Sequence, residues 1–394
     1  MKIIYFISIF GNGRGGHHYS LNHISSKIAE NHDVKIVSIG VEDKNAIIFS
    51  NPNFYKHINF LGINFLQLRK ELLRIFNEFN PDIYHCFDSH SFNIVRLFIN
   101  TKRKIVVVNK CGGPNPQKTF PFVPNLILFS QENLDWFKKI RKFNDCNISL
   151  IPNRVSKIHL NYMPFKKEED KFNFVRICRI DIDNRKSILD SINLVEHLHR
   201  KGHTQAKLFL IGVIRNFDLF NEINKHSLVC NGSLVILTNI EFTMEASKML
   251  YLADAVLGTG RNLMEAASVK KPLLTFDAKS NIPVLLTNDN FDDAFRTNFS
   301  NRNVFKDTSK NLENIERLIN DKFYYDEIST FSLKVFYNYF SLDNATNQYI
   351  NAYNRSINGK RKILKETHII LRDTIKFIKH SQLNAKNHSS KINE

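Results

Sequence analysis

The sequence lacks the features of disulfide-rich, membrane-spanning and disordered proteins. Its five cysteines are widely spaced, without CxxC pairs or a His/Cys cluster, which argues against a disulfide framework or a zinc site and favours buried thiols in a cytosolic protein. No apolar run approaches the roughly 18 to 20 residues that a membrane-spanning helix needs. Hydrophobic residues make up 43% of the chain, too many for disorder throughout. The cysteines are Cys86, Cys111, Cys146, Cys178 and Cys230.

The chain is also short of acidic residues. It has 38 Asp and Glu against 55 Lys and Arg, a formal net charge of +17. This excess predicts an anionic partner, and nucleic acid, anionic lipid headgroups and phosphorylated substrates all fit it. The 394 residues exceed what one core usually fills, so two domains are expected.

Short apolar runs alternate with helical patterns, which predicts parallel sheets wrapped by helices. The apolar start Ile3–Phe10 is interpreted as the first strand and not as a secretory signal, because the glycines after it lack a small-x-small cleavage pattern. The alternation restarts after the charged segment Ile158–Lys171, interpreted as a linker. We therefore predict an N-terminal domain over residues 1–160 and a C-terminal domain over residues 172–335.

The end of the chain is predicted to be helical. Residues 336–358 are expected to form a helix that packs back on the N-terminal domain, and residues 359–394 a basic amphipathic tail. Such a tail can lie on an anionic membrane, and packing on the body of the protein is an equally good interpretation. The predicted apolar stripe is Ile363, Leu364, Thr367, Ile370, Leu371, Ile375 and Ile378.

Gly11, Gly13 and Gly16 form a GxGxxG pattern between the first predicted strand and helix. With the acidic pair Glu42–Asp43 after the second strand, the pattern is also typical of a dinucleotide site. Glycines there let backbone N–H groups approach any phosphate or sugar hydroxyl. A tight turn without a ligand is the structural alternative.

A second glycine turn, Gly258–Gly260, leads from a predicted strand into a helix with Arg261 and Glu265. Free N–H groups and a guanidinium suit a diphosphate, and a carboxylate in the first turn of the helix suits the vicinal hydroxyls of a ribose. The structural alternative is that Glu265 only complements the helix dipole.

Basic residues also follow the first strand of the second domain. Arg179, Arg185 and Lys186 flank a strand-to-helix crossover, where cations stabilise the charge that develops on a leaving diphosphate. The alternative is a solvated charge run in which Asp181 and Asp183 pair with Arg185.

In this order, the motifs resemble the retaining glycosyltransferases of family 4, which have the two-domain GT-B fold: two Rossmann-like parallel α/β domains facing across a cleft. The resemblance runs from Lys2 to Tyr353. It rests on five segments: "NPDIYH" (80–85), similar to "kPDiiH"; "SLIPNRV" (149–155), similar to "viPNGV"; "VRICRI…RKSILDSI", similar to "vGRL…KG…LieA"; "AKLFLIG" (206–212), similar to "vkLlivG"; and "GTGRNLMEAASVKKPLL" (258–274), similar to "EGFGLxxLEAMAxGxPVv".

The resemblance implies roles for these residues. Glu265 would bind the ribose of a nucleotide-sugar donor and Arg179 with Lys186 its diphosphate, and these three are the predicted catalytic residues. Gly258, Gly260, Arg261 and Arg185 are the further predicted donor-binding residues. The predicted acceptor and reaction-centre loop contains Gly13, Gly15, Gly16, His17 and Lys110.

Three positions depart from the family pattern. Leu257 stands where the family has the first acid of its Glu-x7-Glu pair. The spacing from Arg179 to Lys186 is longer than usual, so Arg185 is an alternative to Lys186. The usual N-domain histidine is replaced by Asn109–Gly113, which makes Lys110 a candidate contact beside His85, Asp88, His90 and the histidines at 17 and 18.

The sequence is therefore interpreted as a retaining glycosyltransferase that uses a nucleotide-diphosphate sugar and acts on a glycan or polyprenyl-linked acceptor, as in surface polysaccharide synthesis. We expect no obligatory metal or other cofactor, and a cytoplasmic protein with possible peripheral contact to anionic membrane. The alternatives are an NAD(P)-dependent oxidoreductase and a basic nucleic-acid-binding protein. Against the latter, no zinc finger, helix-turn-helix or RNA-binding aromatic motif accompanies the charge.

Overall fold

The computed structural model describes residues 1–10, 13, 15–41, 46–117, 120–161, 163–164, 166–359 and 364–392, with side chains up to residue 382. Within them the chain forms two compact units. Unit 1 comprises Met1–Asn153 and Leu342–Glu394, and unit 2 comprises Arg154–Ser341. The predicted boundary at residue 160 lies inside unit 2, and residues 336–341 of the predicted packing-back helix also belong to unit 2.

The elements follow in chain order. The first segment contains β1 (Lys2–Ile9), α1 (Gly16–Ile28), β2 (Asp33–Gly40), β3 (Phe54–Asn59), α2 (Phe65–Phe79), β4 (Ile83–Cys86), α3 (Ser89–Val95), β5 (Ile105–Lys110), β6 (Asn125–Leu128), α4 (Gln131–Lys139) and β7 (Asn147–Leu150). Unit 2 contains β8 (Phe172–Ile177), α5 (Arg185–Arg200), β9 (Ala206–Ile211), α6 (Phe217–Asn224), α7 (Ser227–Cys230), β10 (Leu234–Leu237), α8 (Ile240–Thr243), β11 (Ala255–Leu257), α9 (Arg261–Ser268), β12 (Leu273–Thr275), β13 (Val284–Leu285), α10 (Phe291–Phe295), α11 (Asn311–Asn320) and α12 (Lys322–Val335). The last segment contains α13 (Leu342–Asn354) and α14 (Thr367–Ile392).

In unit 1 the described strands form one parallel sheet in the order β3-β2-β1-β4-β5-β6-β7. Both faces of β1 are buried, because α1 and α13 cover one face and α2, α3 and α14 cover the other. A strand buried on both faces reads as a continuous apolar run, which is why β1 resembles a signal sequence.

In unit 2 the order is β10-β9-β8-β11-β12-β13, parallel except for the antiparallel pair β12–β13. Helices α5, α11 and α12 cover one face, while α9 and the π-helical turn Phe336–Phe340 cover the other. Where the chain enters and leaves this unit, Val155 donates a backbone hydrogen bond to Phe340 (2.9 Å) and bridges Ser341.

Helix α13 is held on the sheet of unit 1 by a buried polar network. The hydroxyl of Tyr353 lies 2.8 Å from both the Tyr5 hydroxyl and His85 Nδ1. His85 Nε2 contacts Asn109, whose amide donates to the Tyr349 hydroxyl. His85, one of the candidate reaction-centre residues, is thus fully buried in a structural contact.

The face with which the C-terminal helix packs on unit 1 overlaps the predicted stripe only in part. Ile370 of the stripe is buried, together with Ile369 and Phe377, whereas Leu371 and Ile375 of the stripe are exposed. The part of the predicted tail at residues 360–363 lies outside the described residues. Within the described residues, no helix is long and apolar enough to cross a membrane.

The described cysteines are all free, and their burial differs from the expectation. Cys86 is buried, three others are half-buried, and Cys230 is exposed at the end of α7. The prediction of uniformly buried thiols is therefore wrong for Cys230.

Candidate functional site

The predicted donor residues of unit 2 lie at the carboxyl edge of its sheet. Arg179 follows β8, the Gly258–Gly260 turn follows β11, and Lys186 lies in the first turn of α5. In an open parallel sheet this edge is where ligands bind, because loops and helix N-termini converge there. The topology therefore brings together residues that are far apart in sequence.

The two glycines of the Gly258–Gly260 turn disfavour a Cβ for different reasons, contact with a side chain at Gly258 and backbone conformation at Gly260. A Cβ at Gly258 would lie 2.9 Å from Leu263 Cδ2, and Gly260 has φ +52° at the N-cap of α9. Asn262 then donates from its side chain to the carbonyl of Ile177 and so ties the start of α9 to the end of β8. This bond fixes the turn to the carboxyl end of β8.

Glu265 lies in the second turn of α9, not the first, so the prediction of a first-turn carboxylate is wrong. Its side chain is buried and accepts a hydrogen bond from Arg261 Nε at 2.7 Å. Burial raises the pKa of Glu265, and the nearby Arg261 opposes that rise. A buried carboxylate that is already oriented by an arginine is suited to binding hydroxyl donors.

The three predicted phosphate-binding cations each pair with a carboxylate. Arg179 is largely exposed and its Nε lies 3.1 Å from Asp181. Lys186 Nζ contacts Asp190 at 2.6 Å and the carbonyls of Asp277 and Ser280. Lys186 therefore points along the edge of the sheet toward the loop after β12.

Arg185, the alternative to Lys186, is turned away from this edge. Its Nη2 donates to Glu222 Oε1 of α6 at 2.7 Å on the exposed surface. The alternative pairing with Asp181 and Asp183 is also not observed for Arg185. Lys186 is thus the better placed of the two cations.

Sequence reasoning missed Arg176 in β8. Its side chain is fully buried under the same edge, with Nη1 3.5 Å from the Leu257 carbonyl and Nη2 3.1 Å from Ser187 Oγ. The guanidinium also stacks over the Phe276 ring at 4.8 Å. Within the described part of the chain, it pairs with no carboxylate. An arginine inside an apolar strand was the only sequence signal for this residue.

Unit 1 has its own cavity of about 420 Å³ at the carboxyl ends of β1, β4 and β5. It contains two of the predicted loop residues, His17 and Lys110, together with the candidates Asp88 and His90. Asp88 is fixed by hydrogen bonds from the backbone N–H groups of Ser8 and Ser91, both at 2.7 Å. These four side chains place one ammonium group, two imidazoles and one carboxylate around the same space.

Of the two histidines of the loop, His18 is buried and His17 is half-buried. Burial, with the neighbouring His17, lowers the pKa of His18 to about 3, and burial also lowers the pKa of His17. Both imidazoles are thus neutral at physiological pH, and a neutral imidazole can accept a proton or hydrogen bond. His18 Nε2 lies 3.3 Å from the Ser8 carbonyl.

The glycines of the first loop have different structural roles. Gly13 has φ +58°, and a Cβ there would come within 2.4 Å of Ala46 Cβ. Gly15 is the N-cap of α1 and Gly16 its first residue, with open space around it. Gly11 and the Glu42–Asp43 pair of the dinucleotide hypothesis lie outside the described residues.

Helix α14 packs behind Phe10 and His90, two residues that line this cavity. The Phe10 ring packs 5.4 Å from His90 and 4.5 Å from Phe377 between centroids. His90 Nδ1 lies 3.2 Å from the buried carboxylate of Asp373. The C-terminal helix therefore holds a residue of the cavity in position, which the sequence did not predict.

Solved glycosyltransferase structures share this fold. A glycosyltransferase from Rickettsia africae aligns with TM-score 0.64 and 14% identity over 90% of this chain and 98% of its own. Alr3699/HepE from Anabaena in complex with UDP aligns with TM-score 0.64 and 12% identity over 90% of this chain and 100% of its own. The pneumococcal O-GlcNAc transferase GtfA in complex with UDP and GlcNAc aligns with TM-score 0.62 and 10% identity over 90% and 98%. No family model and no curated protein sequence matches the chain.

At these identities the likeness establishes the fold. The predicted class, a GT-B fold with two parallel α/β domains and C-terminal helices, is confirmed. Among the residues that the structure describes, no group of three or more His, Cys, Asp or Glu side chains is arranged to hold a metal ion.

Proposed function

We propose that this protein is a glycosyltransferase that moves a sugar from a nucleotide-diphosphate sugar to a hydroxyl group. The observation that carries the proposal is the buried Glu265, oriented by Arg261 behind the glycine turn of unit 2. It lies at the sheet edge of a fold whose solved members include UDP complexes. The sequence resemblance to family 4 supports the same assignment.

In the proposed donor site, Glu265 accepts hydrogen bonds from the ribose hydroxyls, while Arg179 and Lys186 bind the diphosphate. As the bond from the anomeric carbon to the diphosphate oxygen breaks, negative charge grows on that oxygen, and the two cations stabilise it. Both cations pair with carboxylates in the protein alone, so the diphosphate competes with Asp181 and Asp190. Gly258 and Gly260 let backbone N–H groups approach the phosphates.

We propose that the reaction retains the anomeric configuration, as the family resemblance implies, and that it needs no metal because protein cations meet the diphosphate. Activity is then expected to be unchanged in EDTA. Product NMR of the new glycosidic linkage tests retention, and an inverted product would overturn that part of the proposal.

The proposed acceptor is a glycan or lipid-linked glycan bound at the unit 1 cavity near His17 and Lys110. Their neighbours Asp88 and His90 offer an acceptor hydroxyl both hydrogen-bond donors and acceptors. The net charge of +17 favours a diphosphate-bearing acceptor or an anionic membrane, so we propose peripheral contact with the cytoplasmic membrane face.

A thermal-shift panel with UDP, GDP, TDP, CMP, NAD and NADP tests the donor assignment. A ligand at about 100 times its dissociation constant adds roughly 2.7 kcal/mol to stability. We expect a shift with one nucleoside diphosphate that is lost in Glu265→Ala and kept in Glu313→Ala, a control at an exposed carboxylate of the same unit. A shift with NAD or NADP alone would support the oxidoreductase alternative instead.

A further inference from the structure

Apolar side chains are exposed on one side of α14 and around the start of α2. Leu371 and Ile375 of α14 are 59% and 42% exposed, and Ile63 and Leu66 are 75% and 84% exposed. Singly exposed apolar residues are common on protein surfaces. Here four of them belong to two neighbouring segments of one unit.

The two segments touch at Gly62, which packs against α14. It has φ +87°, and a Cβ there would lie 2.9 Å from the Thr374 carbonyl and 2.5 Å from Ile378 Cγ1. The backbone just before Ile63 is therefore in contact with α14 one turn beyond Leu371. Phe60 adds a ring contact to Phe377, 5.0 Å between centroids, beneath the same place.

Cations border these apolar side chains. Arg69 and Lys70 are exposed one turn after Leu66, and Lys376 and Lys379 are exposed beside Ile375. The two acidic residues of the segment from Leu364 to Gln382, Glu366 and Asp373, are both buried and paired. The exposed side of this helix is thus apolar and basic over its described part.

We propose that Ile63, Leu66, Leu371 and Ile375 form, with these four cations, a composite docking surface for an anionic lipid bilayer. Apolar side chains enter the headgroup region while lysines and arginines meet lipid phosphates, which is the pattern of interfacial helices. Nucleic acid would bind the cations but would leave the leucine and isoleucine side chains exposed to water. This proposal rests on the membrane contact of the proposed function and names the residues that make it. Its test measures vesicle binding and does not require sugar transfer.

Deletion of the tail is a poor test, since the opposite face of α14 packs on unit 1. Point variants of exposed residues avoid this difficulty. The test is co-sedimentation of the full chain with phosphatidylcholine vesicles, with and without phosphatidylglycerol. We expect binding only when phosphatidylglycerol is present, and weaker binding as salt rises.

The double variant Ile63→Ser/Leu66→Ser is the decisive one, because it leaves the C-terminal helix untouched. We expect it, and Leu371→Ser/Ile375→Ser, to lower the vesicle partition coefficient about tenfold or more, since buried hydrocarbon contributes to binding. Lys376→Gln/Lys379→Gln should weaken binding mainly at low salt. The control Ile240→Ser/Phe323→Ser changes two exposed apolar residues of unit 2 and should bind like the unchanged protein.

Three results would overturn the proposal. The first is no binding to phosphatidylglycerol vesicles by the unchanged protein. The second is unchanged binding of Ile63→Ser/Leu66→Ser, which would restrict the contact to charge or to the tail. The third is a concentration-dependent mass that the serine variants abolish, which would make the surface a contact between two copies. Nucleoside-diphosphate binding in the thermal-shift panel is independent of all three, so failure of either proposal is recognised separately.

Discussion

Arg176 shows how a single residue at the site departs from what a stable core prefers. A buried guanidinium without an anionic partner costs several kcal/mol of desolvation, which its hydrogen bonds to a carbonyl and a hydroxyl offset only in part. We therefore expect Arg176→Met, which keeps most of the side-chain volume, to raise the free energy of unfolding by about 1 to 2 kcal/mol. Urea denaturation measures it.

The exposed arginine at the end of α5 provides the control for that variant. Arg200→Met should leave the free energy of unfolding nearly unchanged. A loss of stability in Arg176→Met would show that the two hydrogen bonds and the contact with the Phe276 ring outweigh the cost of burying the charge.

The two histidines of the first loop predict the acid response of the fold. Below about pH 6.5 the unfolded chain binds protons at His17 and His18, while the folded chain binds them only at lower pH, because both folded pKa values are lowered. Stability is therefore lost as the pH falls from about 6.5 toward 3, by up to about 1.4 kcal/mol per pH unit for His18.

Replacing the buried imidazole tests this linkage. His18→Gln should make the unfolding free energy less dependent on pH between about 6.5 and 4, by about the same 1.4 kcal/mol per unit. His159→Gln, at an exposed position, should keep the original slope. An unchanged slope in His18→Gln would mean that the folded protein protonates His18 in this range.

At the scale of elements, buried strands were predictable and polar anchors were not. The apolar runs of β4 and β11 predicted the bounds of these strands directly, because strands covered on both faces carry a continuous apolar signal. β3 is an edge strand of sequence "FYKHIN" with one buried residue, and it was not predicted. The amphipathic pattern of α14 predicted the helix but not its buried face, because that face is chosen by partners on α3 and its neighbours.

Some of those partners are charged. Glu366, just before α14, lies 2.5 Å from both Arg96 Nη1 and Lys142 Nζ and accepts the backbone N–H of Phe122 at 2.9 Å. Nothing local in the sequence links residues so far apart. Burial raises the pKa of Glu366, but these cations and hydrogen bonds bring it below the ordinary value.

Breaking this anchor is expected to be costly. Glu366→Ala leaves the buried Arg96 without its carboxylate, so the free energy of unfolding should fall by about 3 to 5 kcal/mol. The double variant Arg96→Met/Glu366→Leu removes both charges and should recover most of that loss in chemical denaturation. A double variant no more stable than Glu366→Ala would show that the loss comes from packing and not from the orphaned charge.

At the scale of the whole molecule, the order of motifs along the chain predicted the fold well. The donor-side residues follow strands in sequence, so Arg179, Gly258 and Lys186 could be assigned to one sheet edge before the structure was known. The burial of Arg176 and the packing of α14 behind the unit 1 cavity could not be predicted, because they depend on side-chain direction and on contacts between distant segments.

The division of the chain gives a last prediction. Unit 2 is one continuous segment, so a fragment of residues 154–341 should fold alone and show cooperative unfolding. Residues 1–153 lack α13 and α14, whose Tyr349, Tyr353 and Phe377 are buried against the unit 1 sheet and its helices. That fragment should expose apolar surface, bind a hydrophobic dye and aggregate.

Joining residues 342–392 to residue 153 through a flexible linker should restore folding, because it returns both missing helices to the same unit. A cooperatively folded 1–153 fragment would instead mean that the C-terminal helices are accessory to the unit 1 core.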